Sequence, residues 1–155
     1  MPENPAVHVR PVAPSDLAAW TPLWDGYNAF YGRVGPTALR PEVTQVTWQR
    51  LLDRDEPIHA LVAELDESIM GFCHYLFHRS SNRIEPVCYL QDLFTDPATR
   101  GQGIGRALIE GVYAAARAAG VHRVYWTTHE SNAAGRKLYD RMARHAGFLV
   151  YSHEV

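Results

Sequence analysis

Residues 99–108 read Thr-Arg-Gly-Gln-Gly-Ile-Gly-Arg-Ala-Leu: glycine at every second position, an arginine on each side, and an apolar helical period at once. Glycine at a helix start costs backbone entropy, so its repetition suits a main chain that something must approach closely. N–H groups at a helix N-terminus, helped by the helix dipole, make an anion site. Bare glycines let phosphate oxygens reach successive amides, and Arg100 and Arg106 add positive charge. The alternative is a tight strand-to-helix turn that needs glycine for positive φ. The dinucleotide fingerprint and the P-loop are both excluded. The glycines at 101, 103 and 105 are spaced two apart with arginine at 106, and no Gly-Lys-Ser/Thr closes the loop.

Other chemistry-bearing residues are scattered. His74 and His78 invite a metal, but on a strand that spacing spans about 13 Å, too far for one ion, so no metal is assigned. Cys73 and Cys88 show no CxxC or framework spacing and read as buried thiols. Gln91 and Asp92 are adjacent on an apolar run, and strand neighbours face opposite ways unless the strand bulges. His129 and Glu130 follow another apolar run.

The elements that must position these residues are legible from period. Val7–Val12 alternates and predicts a first strand. Leu17, Trp20, Trp24, Tyr27 and Tyr31 fall on one helical face, with Ser15 as an N-cap and Pro22 expected to kink or split the helix. A second helix is predicted over 43–52. Runs over 59–65 and 69–78 predict a hairpin about Asp66-Glu67-Ser68, and 86–95 a third strand of that group. Leu108, Val112, Ala115 and Ala119 line a helix closed by Gly120. Residues 122–128 predict a strand, 132–147 a helix and 148–155 a last strand. The order is β-α-α-β-β-β-α-β-α-β, an α/β (mixed α+β) fold: a mixed sheet with helices on both sides.

The chain of 155 residues suits one domain spanning 1–155. With 15 basic against 17 acidic residues, charge gives no case for nucleic acid or an anionic membrane. Residues 1–10 hold no apolar signal core, and no 18-residue apolar run suits a membrane span. A cytoplasmic protein is the expectation.

Arg100-x-x-Gly103-x-Gly105 resembles the Arg/Gln-x-x-Gly-x-Gly/Ala signature of the GNAT N-acetyltransferases. Residues 89–109 resemble that family's whole strand-loop-helix cofactor motif. Residues 125–148, with an Asn followed seven residues later by Tyr, resemble its last motif. Residues 9–31 resemble the N-terminal segment of the histone-and-polyamine acetyltransferase branch. The resemblance implies the GNAT fold: a central, mixed, mostly antiparallel sheet, helices on both faces and a splayed parallel strand pair.

It also implies acetyl-CoA as donor and a primary amine, small-molecule or protein, as acceptor. Arg100, Gly101, Gln102, Gly103, Ile104, Gly105 and Arg106 would hold the pyrophosphate of coenzyme A. Leu93, Phe94 and Thr95 would offer a strand edge to the pantetheine arm, and a backbone N–H there would stabilise the oxyanion. Asn132 would bond the arm's amides, or cap the next helix, or both. Tyr139 matches the general acid that protonates the leaving thiolate. Tyr27 and Tyr31 lie on the helix that overhangs the acceptor site. Polyamine acetyltransferases carry glutamate where this chain has Gln91, which takes no proton. The amine must then lose its proton through another group, through water or before binding. Asp92, His129 and Glu130 are the groups on offer. Family habit implies a homodimer, with 148–155 as a contact. A non-catalytic acyl-CoA sensor on the same fold is the rival reading.

Overall fold

The computed structural model describes residues 6–155; residues 1–5, part of the stretch read for a signal segment, lie outside the described residues. A five-stranded sheet runs β1 (His8–Pro11), β2 (Ile58–Leu65), β3 (Ser68–His78), β4 (Val87–Thr95), β5 (Val124–Tyr125) in that spatial order. Neighbours from β1 to β4 pair antiparallel, whereas β4 and β5 are parallel. The β2–β3 hairpin turns on Asp66 and Glu67, both at positive φ, as two-residue hairpins require.

Helices α1 (Leu17–Phe30) and α2 (Pro41–Leu52) cover one face, and α3 (Ile104–Ala118) and α4 (Ala133–Met142) the other. On α1, Trp20, Leu23, Trp24 and Tyr27 are buried against Val62 and Phe72 of the sheet. At about 1.5–3 kcal/mol for each large apolar side chain, these anchors outweigh the roughly 3 kcal/mol that an internal proline costs. So α1 is one helix through Pro22, not two. The expected N-cap, Ser15, is not used. Asp16 occupies that position, and its carboxylate binds the Arg10 guanidinium through two bonds of 2.8 and 2.9 Å. Arg10 also reaches Glu64, at 2.7 Å. That bridge ties the start of α1 to β1 and β2 and holds Asp16 below the usual carboxylate range.

On the opposite face, α3 buries Ile104, Leu108, Ile109, Val112 and Ala116 against Leu61, Ala63, Cys73 and Leu90. Ala116 takes the place expected of Ala119, which is exposed. Gly120, at φ +73°, ends the helix as expected.

The C-terminal expectations change. The strand expected over 122–128 pairs only at Val124 and Tyr125. The strand expected over 148–155 does not form: Phe148, Leu149, Val150 and Tyr151 are 74–89% exposed. A strand exists only where a neighbouring backbone completes its ladder, and among the described residues nothing pairs with that run. Among the described residues, no helix is long and apolar enough to cross a membrane.

Candidate active site

The parallel pair comes apart early. Cys88 pairs with Val124 and Tyr89 with Tyr125, and there the β4–β5 ladder stops. The cleft opened beyond it is walled by Leu90, Gln91 and Leu93 of β4, Trp126 and Thr127 after β5, Tyr27 of α1 and Tyr31 just past its end, and Tyr139 of α4. The Tyr139 ring packs edge-on against Trp126, centroids 5.5 Å apart. Burial pushes its phenol up to about 12, so it stays protonated, a donor, through the neutral range.

A bulge decides what β4 shows to the cleft. Tyr75 pairs with Leu90 and His74 with Asp92, leaving Gln91 as the extra residue. The extra residue shifts the strand's alternation. Leu90 and Leu93 both face the α3 core, Gln91 faces the cleft, and Asp92 turns under α1. There the Asp92 carboxylate is 9% exposed. It accepts the Tyr27 hydroxyl at 2.5 Å and the His74 ring N–H at 2.9 Å. Asp92, expected at the acceptor, does not itself line the cleft; Tyr27, to which it is bonded, does.

At the end of β4 the chain enters the glycine loop. Gly101 and Gly103 have φ of +81° and +82°, and Gly103 is the residue from which α3 starts. The first intrahelical bond is Ala107 N–H to the Gly103 carbonyl, so the N–H groups of Ile104, Gly105 and Arg106 are the helix's orphan donors. A Cβ on Gly101 or Gly103 would meet nothing within 4 Å, so this face of the loop is bare. Positive φ and bare approach coexist, and both reasons for glycine hold at Gly103. Gly105 is different. Its φ is helical, and an added Cβ would come within 3.1 Å of Leu138 on α4. The Ile104 side chain is buried in the core, so only its backbone faces the loop. Arg106 Nε donates to Glu110 at 3.0 Å, whereas Arg100 is exposed beside the loop. Asn132 caps α4: its Oδ1 accepts from Gly135 N–H and its Nδ2 donates to Thr128.

The acetyltransferase (GNAT) family model matches residues 20–143. The chain belongs to the GNAT family. The D-amino-acid N-acetyltransferase HPA3 of Saccharomyces cerevisiae is 35% identical over 150 residues, covering 96% of this chain and 91% of that protein. The fold matches a ribosomal-protein-alanine N-acetyltransferase from Brucella melitensis biovar Abortus 2308 at TM-score 0.80 and 23% identity, covering 97% and 100% of the two chains. It also matches AAC(6')-Iy, solved with a bisubstrate analogue, at TM-score 0.82 and 17% identity, covering 97% and 99%. This GNAT chain is an N-acetyltransferase.

Not every residue expected at the GNAT site meets the cleft. His129 and Glu130 sit in the exposed turn before α4 and do not wall it; the His129 ring accepts from Ser131 and the Glu130 carbonyl from Arg136. Phe94 turns its ring to α1 and borders a separate groove of about 270 Å³ with Pro22, Phe30 and Arg100. His74 and His78 are engaged apart, His74 with Trp20 and Asp92, His78 with Tyr125. Sequence reasoning missed Trp126 and Arg33. Trp126 fell inside an expected strand with no sign that the ladder ends before it. Arg33 lies in a loop just past α1, where its guanidinium covers the Tyr27 and Tyr31 rings at 5.8 and 5.5 Å. Its Nε donates to Asn28 at 2.7 Å, which fixes that pose.

Proposed function

We propose that this GNAT enzyme moves acetyl from acetyl-CoA to a primary amine by direct attack, with both reactants held in one complex. The observation that carries this is the cleft where β4 and β5 part, with Tyr139 in its wall and the bare amides of the glycine loop at the end of β4. The donor supplies an activated thioester carbonyl; positioning it against the amine is the protein's task. Arg100 and the loop amides from Gly101 to Arg106 would hold the pyrophosphate. The unpaired β4 edge at Leu93–Thr95 would hold the pantetheine arm. Asn132 caps α4, the helix from which Tyr139 would meet the thioester sulfur. A phenol at about 12 is a weak acid beside a free thiol near 8.5. The burial that raises the phenol also raises a thiolate formed beside it, so the transfer is less uphill than those values suggest.

The placement in the branch rests on the N-terminal segment, whose Tyr27 and Tyr31 wall the cleft. Within it, Arg33 over those rings points to an acceptor with a carboxylate near its amine, an amino acid in preference to a polycation. The likeness to a D-amino-acid acetyltransferase supports the same substrate class. Initial rates of thiol release across amino acids of both hands, their decarboxylated amines and polyamines test this. Arg33→Ala should raise KM for amino acids about ten- to a hundredfold, the worth of a charged hydrogen bond. KM for the decarboxylated amines should stay put. Equal effects on both sets would remove Arg33 from acceptor recognition.

The setting is cytoplasmic in this reading, where the buried free thiols of Cys73 and Cys88 stay reduced. The exposed apolar run Phe148–Tyr151 finds its cover on a second copy. Deleting residues 147–155 should then convert a dimer to a monomer in light scattering; a full-length chain that is already monomeric rejects this contact.

A further inference from the structure

We propose that Tyr27 accepts the acceptor amine's proton from the cleft and passes its own to Asp92, with His74 and Trp20 holding that carboxylate in position. The inference rests on the N-acetyltransferase reading above and supplies the base that Gln91 does not.

Geometry separates the roles. Tyr27 walls the cleft and Asp92 does not, so of the two it is Tyr27 that meets an amine bound there. A phenol has one proton, and Tyr27 directs it to Asp92 Oδ1. Its oxygen lone pairs are thereby left to accept an N–H. On the far side, Trp20 Nε1 donates to His74 Nε2 at 3.2 Å. An indole nitrogen only donates, so Nε2 carries no proton. The imidazole proton is on Nδ1, which donates to Asp92 Oδ2. His74 cannot take the incoming proton: Nδ1 already bears one and Nε2 faces the indole N–H. The proton therefore stops on Asp92. Trp20 and His74 are fully buried, so this orientation does not depend on solvent.

The protons balance. An ammonium N–H proton goes to Tyr27 Oη as the Tyr27 proton goes to Asp92. The neutral nitrogen forms the C–N bond, the C–S bond breaks, and Tyr139 protonates the sulfur. The nitrogen's second proton leaves to solvent, from which Tyr139 recovers one. Asp92 returns its proton through Tyr27 when the amide departs, and one proton is released per turnover.

The groups around this pair are Tyr31 and Arg33 from α1 and its following loop, His74 and Cys73 from β3, Tyr89 from β4, and Tyr139 beyond Tyr31. Burial first, then the charge on Asp92, holds the Tyr27 phenol far above its ordinary range. Tyr27 thus relays a proton and does not start as a phenolate.

The experiment is the pH dependence of kcat/KM with one primary amine that the wild type acetylates, measured by thiol release. The wild type should reach a plateau below the free amine's own pKa. Tyr27→Phe keeps the ring stacked on Trp24. It should lose about 10²-fold at pH 7 and show a rate rising with pH to the amine's pKa, with unchanged acetyl-CoA affinity by calorimetry. His74→Asn, whose amide N–H can replace Nδ1–H, should keep the plateau that His74→Ala loses. A Tyr27→Phe enzyme with the wild-type profile and more than a third of its rate overturns the relay while leaving the acetyltransferase reading intact. A wild type that turns over no amine overturns both.

Discussion

Tyr139→Phe should lower kcat by about 10²–10⁴-fold, the worth of a general acid, with acetyl-CoA affinity unchanged. The ring stays against Trp126, so packing survives and only the proton is lost. The pH dependence sharpens the test. Because burial raises this phenol to about 12, the acid form is complete below that value and is lost only as pH rises through it. The gap between wild type and variant should therefore stay constant from pH 7 to 10. An unshifted tyrosine, near 10, would close half of it by the upper end. Initial rates of thiol release over that range decide the matter. A phenylalanine variant with wild-type kcat would make Tyr139 a packing residue. A wild type that binds acetyl-CoA yet releases no thiol with any amine would favour the sensor reading of this fold.

The second large effect is in the loop. Gly103→Val should weaken acetyl-CoA binding at least a hundredfold in calorimetry while the protein remains folded. A β-branched residue at φ +82° is strained by about 1–3 kcal/mol, a melting loss of several degrees in a chain this size. The new side chain meets no protein atom within 4 Å at its Cβ, so it does not break the core. It stands instead where phosphate oxygens would approach. Unchanged affinity in a folded variant removes the pyrophosphate assignment. Gly105→Val is a poorer probe, since its Cβ presses on Leu138 and displaces the helix that carries Tyr139.

Local, periodic features were legible before the fold was known. The aromatic stripe of α1 and the apolar face of α3 were readable because a helix's pattern is contained in its own residues. The glycine loop was readable because few other uses require bare backbone at a helix start. What depended on distant partners was not readable. The ladder of β5 ends after Tyr125 because β4 leaves it, and no residue near 126 announces that. The run at 148–155 has a strand's composition but no pairing neighbour among the described residues. His74 raised the question of a metal through its distance from His78. Its partners, Trp20 and Asp92, are 54 and 18 residues away. Asp92 could be placed only with the bulge in hand, because one extra residue reverses which face every later side chain presents.

That extra residue at Gln91 also divides β4 by the kind of damage a substitution does. Ahead of it, Val87 and Cys88 are fully buried in the sheet's interior, where truncation leaves a cavity and lowers the melting point. Behind it, Asp92 meets the Tyr27 hydroxyl, and Leu93 borders the cleft on the unpaired edge, where changes fall on turnover. Selection for thermal tolerance can therefore act on the first half of the strand, and selection for a new acceptor on the second, with little interference. Deleting Gln91 would keep Leu90 and Asp92 on opposite faces, against Tyr75 and His74, and would take from the cleft wall only the side chain that stands between them.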